Sequence, residues 1–144
     1  MRIVDAKLGD APILADLHRA IFPDGPWATP FWRNALQVNE GPILISMGPT
    51  SPLGLCAARI AVDEAELLSI GVLAGARGGG VAGELLEALY RRLCALGVSQ
   101  LFLEVSEANE PARRLYARHQ FSEAGRRPHY YGPGDDALVL SRTL

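Results

Sequence analysis

A chain of 144 residues, 49% of them hydrophobic, is long enough to bury a substantial core and too apolar for disorder, so one domain over residues 1–144 is expected. The formal net charge of −2 speaks against a nucleic-acid surface built on bulk positive charge, and the apolar runs are too short and interrupted to span a bilayer. Asp5 stands where a signal peptide needs its apolar centre, so the expectation is a cytoplasmic protein with neither membrane nor nucleic acid as partner.

Of the 14 basic residues all but Lys7 are arginine, which leaves little room for lysine chemistry. Cys56 and Cys94 lie in apolar segments without CxxC spacing and read as buried free thiols. His18, His119 and His129 are too scattered for a metal site, and no Gly-x-Ser-x-Gly elbow occurs.

Arg2 to Lys7 alternates as a first strand. Asp10 and Pro12 mark a helix start, with Ile13, Leu14, Leu17, Ala20 and Ile21 on its apolar face. Phe22 to Trp27 breaks that helix, and Thr29-Pro30 opens a second one ending at Asn39 and Gly41. The aromatic residues Phe22, Trp27, Phe31 and Trp32 suit either a core or a pocket rim. Pro42 to Met47, Leu53 to Val62 and Glu66 to Val72 read as an antiparallel meander, with the last turn at Asp63-Glu64.

Five glycines between positions 75 and 83 then lead into an amphipathic run in which Val81, Leu85, Leu86, Leu89, Leu93 and Leu96 share one helical face. Glycine is poor inside a helix, whereas a small-residue loop and the unpaired amides of a helix start can hold an anion such as phosphate. Arg77 adds positive charge there. A plain flexible connector explains the same glycines, and no Gly-Lys-Ser or Gly-Lys-Thr follows to make a P-loop. Leu101 to Val105 is a nearly continuous apolar strand interrupted by Glu104. A helix from Asn109 or Glu110 to Arg118 and two strands, Phe121 to Arg127 and Ala137 to Ser141, complete the chain. The helix between the third meander strand and the Glu104 strand is a crossover that makes those strands parallel neighbours, with the glycine loop and Glu104 at one cleft.

With these residues in place, the chain resembles the GCN5-related N-acetyltransferases over nearly its full length. Their acyl-CoA signature is Gln or Arg, two residues, Gly, one residue, then Gly or Ala, and Arg77-Gly78-Gly79-Gly80-Val81-Ala82 fits it. Pro26-Trp27, Asp63-Glu64-Ala65, Leu103-Glu104-Val105, Asn109, Ala112, Leu115-Tyr116, Phe121, Arg127, Tyr130-Tyr131 and Asp136-Ala137 are similar to the RimI-type subgroup, which acetylates the N-terminal amine of a small-subunit ribosomal protein. Gln120 stands where the family usually has Gly, and Gly78-Gly79 where it commonly has a polar pair.

The resemblance implies an α/β (α+β) fold, a mixed and mainly antiparallel sheet of six or seven strands with helices on both faces, and acetyl-CoA as co-substrate without a metal. It implies that Ile70, Gly71 and Val72 line the acetyl-pantetheine arm by their backbone. Gly78, Gly79, Gly80, Val81, Ala82 and Gly83 would hold the pyrophosphate beside Arg77, and Asn109 would contact the cofactor. Glu104 would be the general base and Tyr116 the acid for the leaving thiolate. Tyr130 and Tyr131 would cover the acceptor, supported by Arg126 or Arg127, although a surface turn accounts for those residues as well.

The chemistry points to an amine acceptor. With reference pKa values near 7.8 and 10.4, about one in seven α-amines but only about one in 2,500 lysines is neutral at pH 7, so an N-terminus is the easier acceptor. A carboxylate in an apolar strand is expected to have a raised pKa, which suits a base, although Glu104 can equally partner an arginine. A tyrosine hydroxyl is a suitable weak acid for a thiolate, although Tyr116 can equally be a core residue. The favoured expectation is direct acetyl transfer to a protein or peptide N-terminus, a ribosomal protein being the suggested partner. A small amine, an aminoacyl-tRNA, or a non-catalytic acyl-CoA-binding module are the alternatives.

Overall fold

In the computed structural model, which describes residues 2–144, the alternating start of the chain forms strand β1 (Arg2–Asp5). Met1, part of the leader reading, lies outside the described residues. Helix α1 (Ala11–Ile21) follows, but the Asp10 carboxylate does not cap it. It turns back to accept the Lys7 amide at 2.8 Å and closes a short 3-10 turn at Leu8–Asp10. Ala11, Leu14, Ala15, Leu17, His18 and Ile21 are buried, whereas Ile13 and Ala20, expected on the inner face, are exposed. Helix α2 (Thr29–Val38) carries Pro30 in its first turn and ends at Asn39, which takes the left-handed conformation expected of a helix stop.

Strands β2 (Ile43–Met47), β3 (Pro52–Ala61) and β4 (Glu64–Val72) make the meander. Its second turn falls at Val62-Asp63, one residue earlier than expected, with Val62 at φ 62° and almost fully exposed. After the glycine loop come α3 (Val81–Ala95), β5 (Gln100–Ser106), α4 (Glu110–Arg118), β6 (Ser122–Gly132) and β7 (Asp135–Thr143). The seven strands form one sheet in the order β1-β2-β3-β4-β5-β7-β6, antiparallel throughout except for β4 and β5. The mainly antiparallel sheet of the sequence reading is therefore found.

Strand β3 is apolar on both sides because both of its faces are covered. Leu55 and Ala57 pack with α1, α2 and Trp32, whereas Cys56 and Ala58 pack with α3. Leu85, Leu86, Leu89 and Leu93 of α3 are fully buried, each worth about 1.5–3 kcal/mol. Leu96 is exposed, since the helix has ended before it, and Cys94 is exposed as well, on the outward side beside buried Leu93. Only Cys56 is the buried thiol the sequence suggested.

The feature that matters for function is where β4 and β5 part. Their parallel ladder holds for three pairs, Glu64 with Gln100, Ala65 with Leu101 and Glu66 with Phe102. A bulge against β3 at Leu68 then bends β4, and β5 goes on with β7 alone on its other side. A slot opens between residues 67–70 and residues 103–106. The crossover through α3 is what requires this pair to be parallel.

Candidate active site

The slot has a volume of about 330 Å³ and is lined by Phe22, Ser69, Ile70, Glu104, Asn109, Tyr116 and Tyr131 among others. Strand alternation sorts these residues between the two faces of the sheet. Leu101, Leu103 and Val105 belong to the core beneath α3 and α4, so Glu104 points to the opposite face, the one that carries α1. Ile70 packs against the α3 core, so Ser69 and Gly71 look toward α1. Glu104 and Ser69 thus open on one face, and Tyr116, on α4, on the other.

Glu104 is not the isolated carboxylate in apolar surroundings that its strand suggested. Its side chain is 28% exposed and its Oε1 lies 2.9 Å from Arg127 Nη2. Leu103 and Val105, the residues on either side of it, point through the sheet, and β6 supplies the arginine. Arg127 also lies over the Tyr130 ring, 5.3 Å from its centroid.

Tyr116 is 7% exposed, and burial, followed by the nearby Tyr90, pushes its hydroxyl up to about 12. Its ring meets Phe121 edge to face at 5.6 Å, and no hydrogen bond to its hydroxyl is found among the described residues. Between them Phe121 and Tyr116 also close the end of α4, the Phe121 amide donating to the Tyr116 carbonyl at 3.0 Å. Gln120, in the place of the expected glycine, keeps the left-handed turn at φ 65°. Asn109 caps α4, its Oδ1 accepting the Ala112 amide at 3.3 Å, while it also borders the slot.

The glycine loop lies past the end of β4. Gly78 and Gly80 have φ of 82° and 83°, a conformation that favours glycine, and Gly80 sits immediately before α3. The amides of Val81, Ala82 and Gly83 fall in the first helical turn, where no preceding carbonyl can pair with them. That is a fit for the pyrophosphate of a coenzyme A ester. Arg77 does not project freely beside the loop, because its Nε donates to the Val72 carbonyl at 3.3 Å and ties the loop to β4. Gly71 serves packing, since a Cβ there would meet Ile21 at 2.6 Å and Phe22 at 2.9 Å. Gly71 and Val72 continue the strand from the slot toward the loop.

Tyr131 lines the slot near Glu104, and burial and that carboxylate raise its pKa. Tyr130 meets it edge to face at 5.1 Å but is 57% exposed outside the slot lining. Both tyrosines lie where β6 leaves register with β7, between Arg127 and Gly132. Asp136 holds this bulge, accepting the His129 amide at 2.9 Å and Arg126 Nη1 at 2.8 Å, and Arg126 also reaches Glu107 at 2.7 Å. Two further residues at the slot had not been singled out, Ser69 and the buried His18 behind it. His18 follows Leu14 by four and precedes Ile21 by three, a spacing that puts it on the inner face of α1.

The profile of the Acetyltransferase (GNAT) family matches residues 11–121. A [ribosomal protein bS18]-alanine N-acetyltransferase of Haemophilus ducreyi is 30% identical over 126 residues, 83% of this chain and 84% of that protein. The crystal structure of the ribosomal-protein-S18-alanine N-acetyltransferase from Escherichia coli superposes with a TM-score of 0.88 at 25% identity, covering 99% of this chain and 92% of that one. A Salmonella typhimurium protein, yncA, solved with its cofactor acetyl-CoA, has the same fold, with a TM-score of 0.82 at 21% identity over 100% of this chain and 94% of that one. The splayed parallel strands, the glycine-lined helix start and the matching profile together place this chain in the GNAT family, as an N-acetyltransferase that uses acetyl-CoA as co-substrate.

Proposed function

We propose that the enzyme acetylates the α-amine of a protein N-terminus, of the ribosomal-protein alanine type, by direct attack of the amine on the thioester. The observation that supports this mechanism is that Glu104 and Tyr116 border one slot from opposite faces of the sheet. An amine entering from the α1 face meets the base. A thioester sulfur on the α4 face meets the hydroxyl, with the carbonyl carbon between them. Ile70, Gly71 and Val72 line the acyl arm by their backbone, residues 77–83 and Asn109 hold the rest of the coenzyme, and Tyr130 and Tyr131 cover the acceptor. The similarity to alanine N-acetyltransferases supports the choice of an N-terminal amine.

In the reaction Glu104 takes a proton from the acceptor ammonium, directly or through a water. The neutral amine nitrogen bonds to the carbonyl carbon, the C–S bond breaks, the sulfur leaves as thiolate, and the nitrogen releases its second proton to solvent to give the amide. The guanidinium of Arg127 must yield its place to the ammonium, which costs little because its side chain is 57% exposed and a surface ion pair is worth about 0–1 kcal/mol. Tyr116, held at about 12, is fully protonated at neutral pH. Complete transfer to a thiolate with a pKa near 8.5 is uphill by about 3.5 units, so the larger part of its contribution is a hydrogen bond to the developing charge. A covalent route has no support from cysteine, since burial pushes Cys56 up to about 12 and Cys94 lies at the far end of α3.

Release of free thiol from acetyl-CoA tests the reading with peptides bearing N-terminal Ala, Ser and Met, an N-blocked lysine peptide and a polyamine. Turnover confined to unblocked N-termini is the expected result. Turnover on the polyamine alone would overturn it in favour of small-molecule acetylation.

A further inference from the structure

One buried imidazole lies outside this chemistry. His18 is 3% exposed, its Nδ1 accepts the Trp27 amide at 2.9 Å, and its Nε2 stands 3.4 Å from Ser69 Oγ. Trp27 stacks on the ring, with centroids 4.8 Å apart and planes within 12°. Burial lowers the pKa of His18, so the ring is neutral near pH 7. A neutral imidazole carries one N–H, and with Nδ1 accepting, that hydrogen sits on Nε2. His18 therefore donates to Ser69 and cannot take its proton, which excludes a Ser69 nucleophile activated by this histidine. What the contact leaves is a serine hydroxyl whose oxygen is engaged and whose hydrogen is free to point elsewhere. Ser69 borders both the Glu104 slot and an adjoining cavity of about 440 Å³ walled by Phe22, Asp24 and Trp27.

We propose that Ser69, oriented by His18, is the residue that recognises the oxygen next to the acceptor amine, its hydroxyl donating a hydrogen bond to the carbonyl of the acceptor's first residue. The proposal rests on the N-terminal-amine reading and deepens it. His18 is a positioning residue, acting through Ser69 and through the Trp27 loop. A lysine side chain or a plain alkyl amine has no carbonyl at that distance, so the pair selects α-amines flanked by a peptide bond.

Kinetics on an N-terminal alanine peptide and on isobutylamine test this in the full-length enzyme, with Ser69→Ala, His18→Asn and the double variant. Asparagine keeps an acceptor for the Trp27 amide and loses the Nε2 donor. Each single variant is expected to raise the peptide KM about fivefold, to lower kcat less, and to reduce the preference for peptide over isobutylamine by a similar factor. The double variant should lose no more than the worse single one, because the two residues act as one unit. Multiplying losses, or equal losses on both amines, would overturn the proposal. Nitrogen-15 NMR of the His18 ring in the free enzyme gives a reading that needs no turnover. An Nε2–H tautomer is expected, and an Nδ1–H tautomer or an imidazolium at pH 7 would overturn the orientation. A wild-type enzyme inactive on every peptide sinks the N-terminal-amine reading and this role with it, whereas an active wild type with unaffected variants sinks only the role of Ser69.

Discussion

The two sides of the slot are built in opposite ways. On the α1 face the Glu104 carboxylate is partly exposed and ion-paired, with Arg127 at 2.9 Å. On the α4 face Tyr116 is nearly sealed among Phe121, Tyr90 and the core leucines. The difference matches the charge each group carries at rest. The proposed mechanism needs an ionised Glu104, and water and a guanidinium tolerate its charge there. The same mechanism needs a Tyr116 hydroxyl that keeps its proton until the sulfur leaves, and burial disfavours the phenolate.

The largest test of this contrast is Glu104→Gln, expected to lower turnover on an N-terminal peptide about 100-fold at pH 7. The defect should shrink as pH rises past the amine pKa of about 8, and a pH-rate profile in which it grows would remove the base from the α1 face. Tyr116→Phe comes next. It should reduce kcat at least ~10-fold with little change in acetyl-CoA binding by calorimetry, the pattern of an interaction made in the transition state. Unchanged turnover would make the buried side a packing surface only.

A smaller effect is expected at the device that holds the exposed side. Asp136→Asn should loosen the bulge bearing Tyr130 and Tyr131, raising the acceptor KM a few-fold while kcat changes less. Its carboxylate has a pKa lowered from 3.8 by the His129 amide and Arg126. A lowered folded-state value stabilises the protein above pH 3.8 and the gain is lost as pH falls through the folded value, so the variant's deficit in thermal stability should vanish in acid. The smallest change is on the buried side. Gln120→Gly relieves a left-handed residue after α4 and should raise stability by ~0.5–1 kcal/mol, or about 2–4 °C in Tm.

Much of the site was legible in the residues themselves. Glycines at 78 and 80 before an amphipathic run signal a helix start with free amides, and the structure finds both in the left-handed region. Glu104 was legible as the lone charge in an apolar strand, but its environment was not, because Arg127 arrives from a strand two places away in the sheet order. Asp10 misled because a carboxylate can bond forward to a helix or back to a turn, and only the backbone path decides which. The three histidines are scattered in sequence, but the spacing of His18 with Leu14 and Ile21 marks it for burial.

The order of elements, the apolar runs and the chemical groups available follow from the residues alone. Those are local properties, fixed by side-chain period, turn residues and composition. Long-range packing is what makes β4 and β5 separate after three pairs, brings Glu104 and Tyr116 to that gap from opposite faces, and sets His18 against Ser69, 51 positions further along the chain. Strand splay, face and tautomer depend on which neighbours the fold brings to each backbone and ring, and no stretch of sequence carries those neighbours with it.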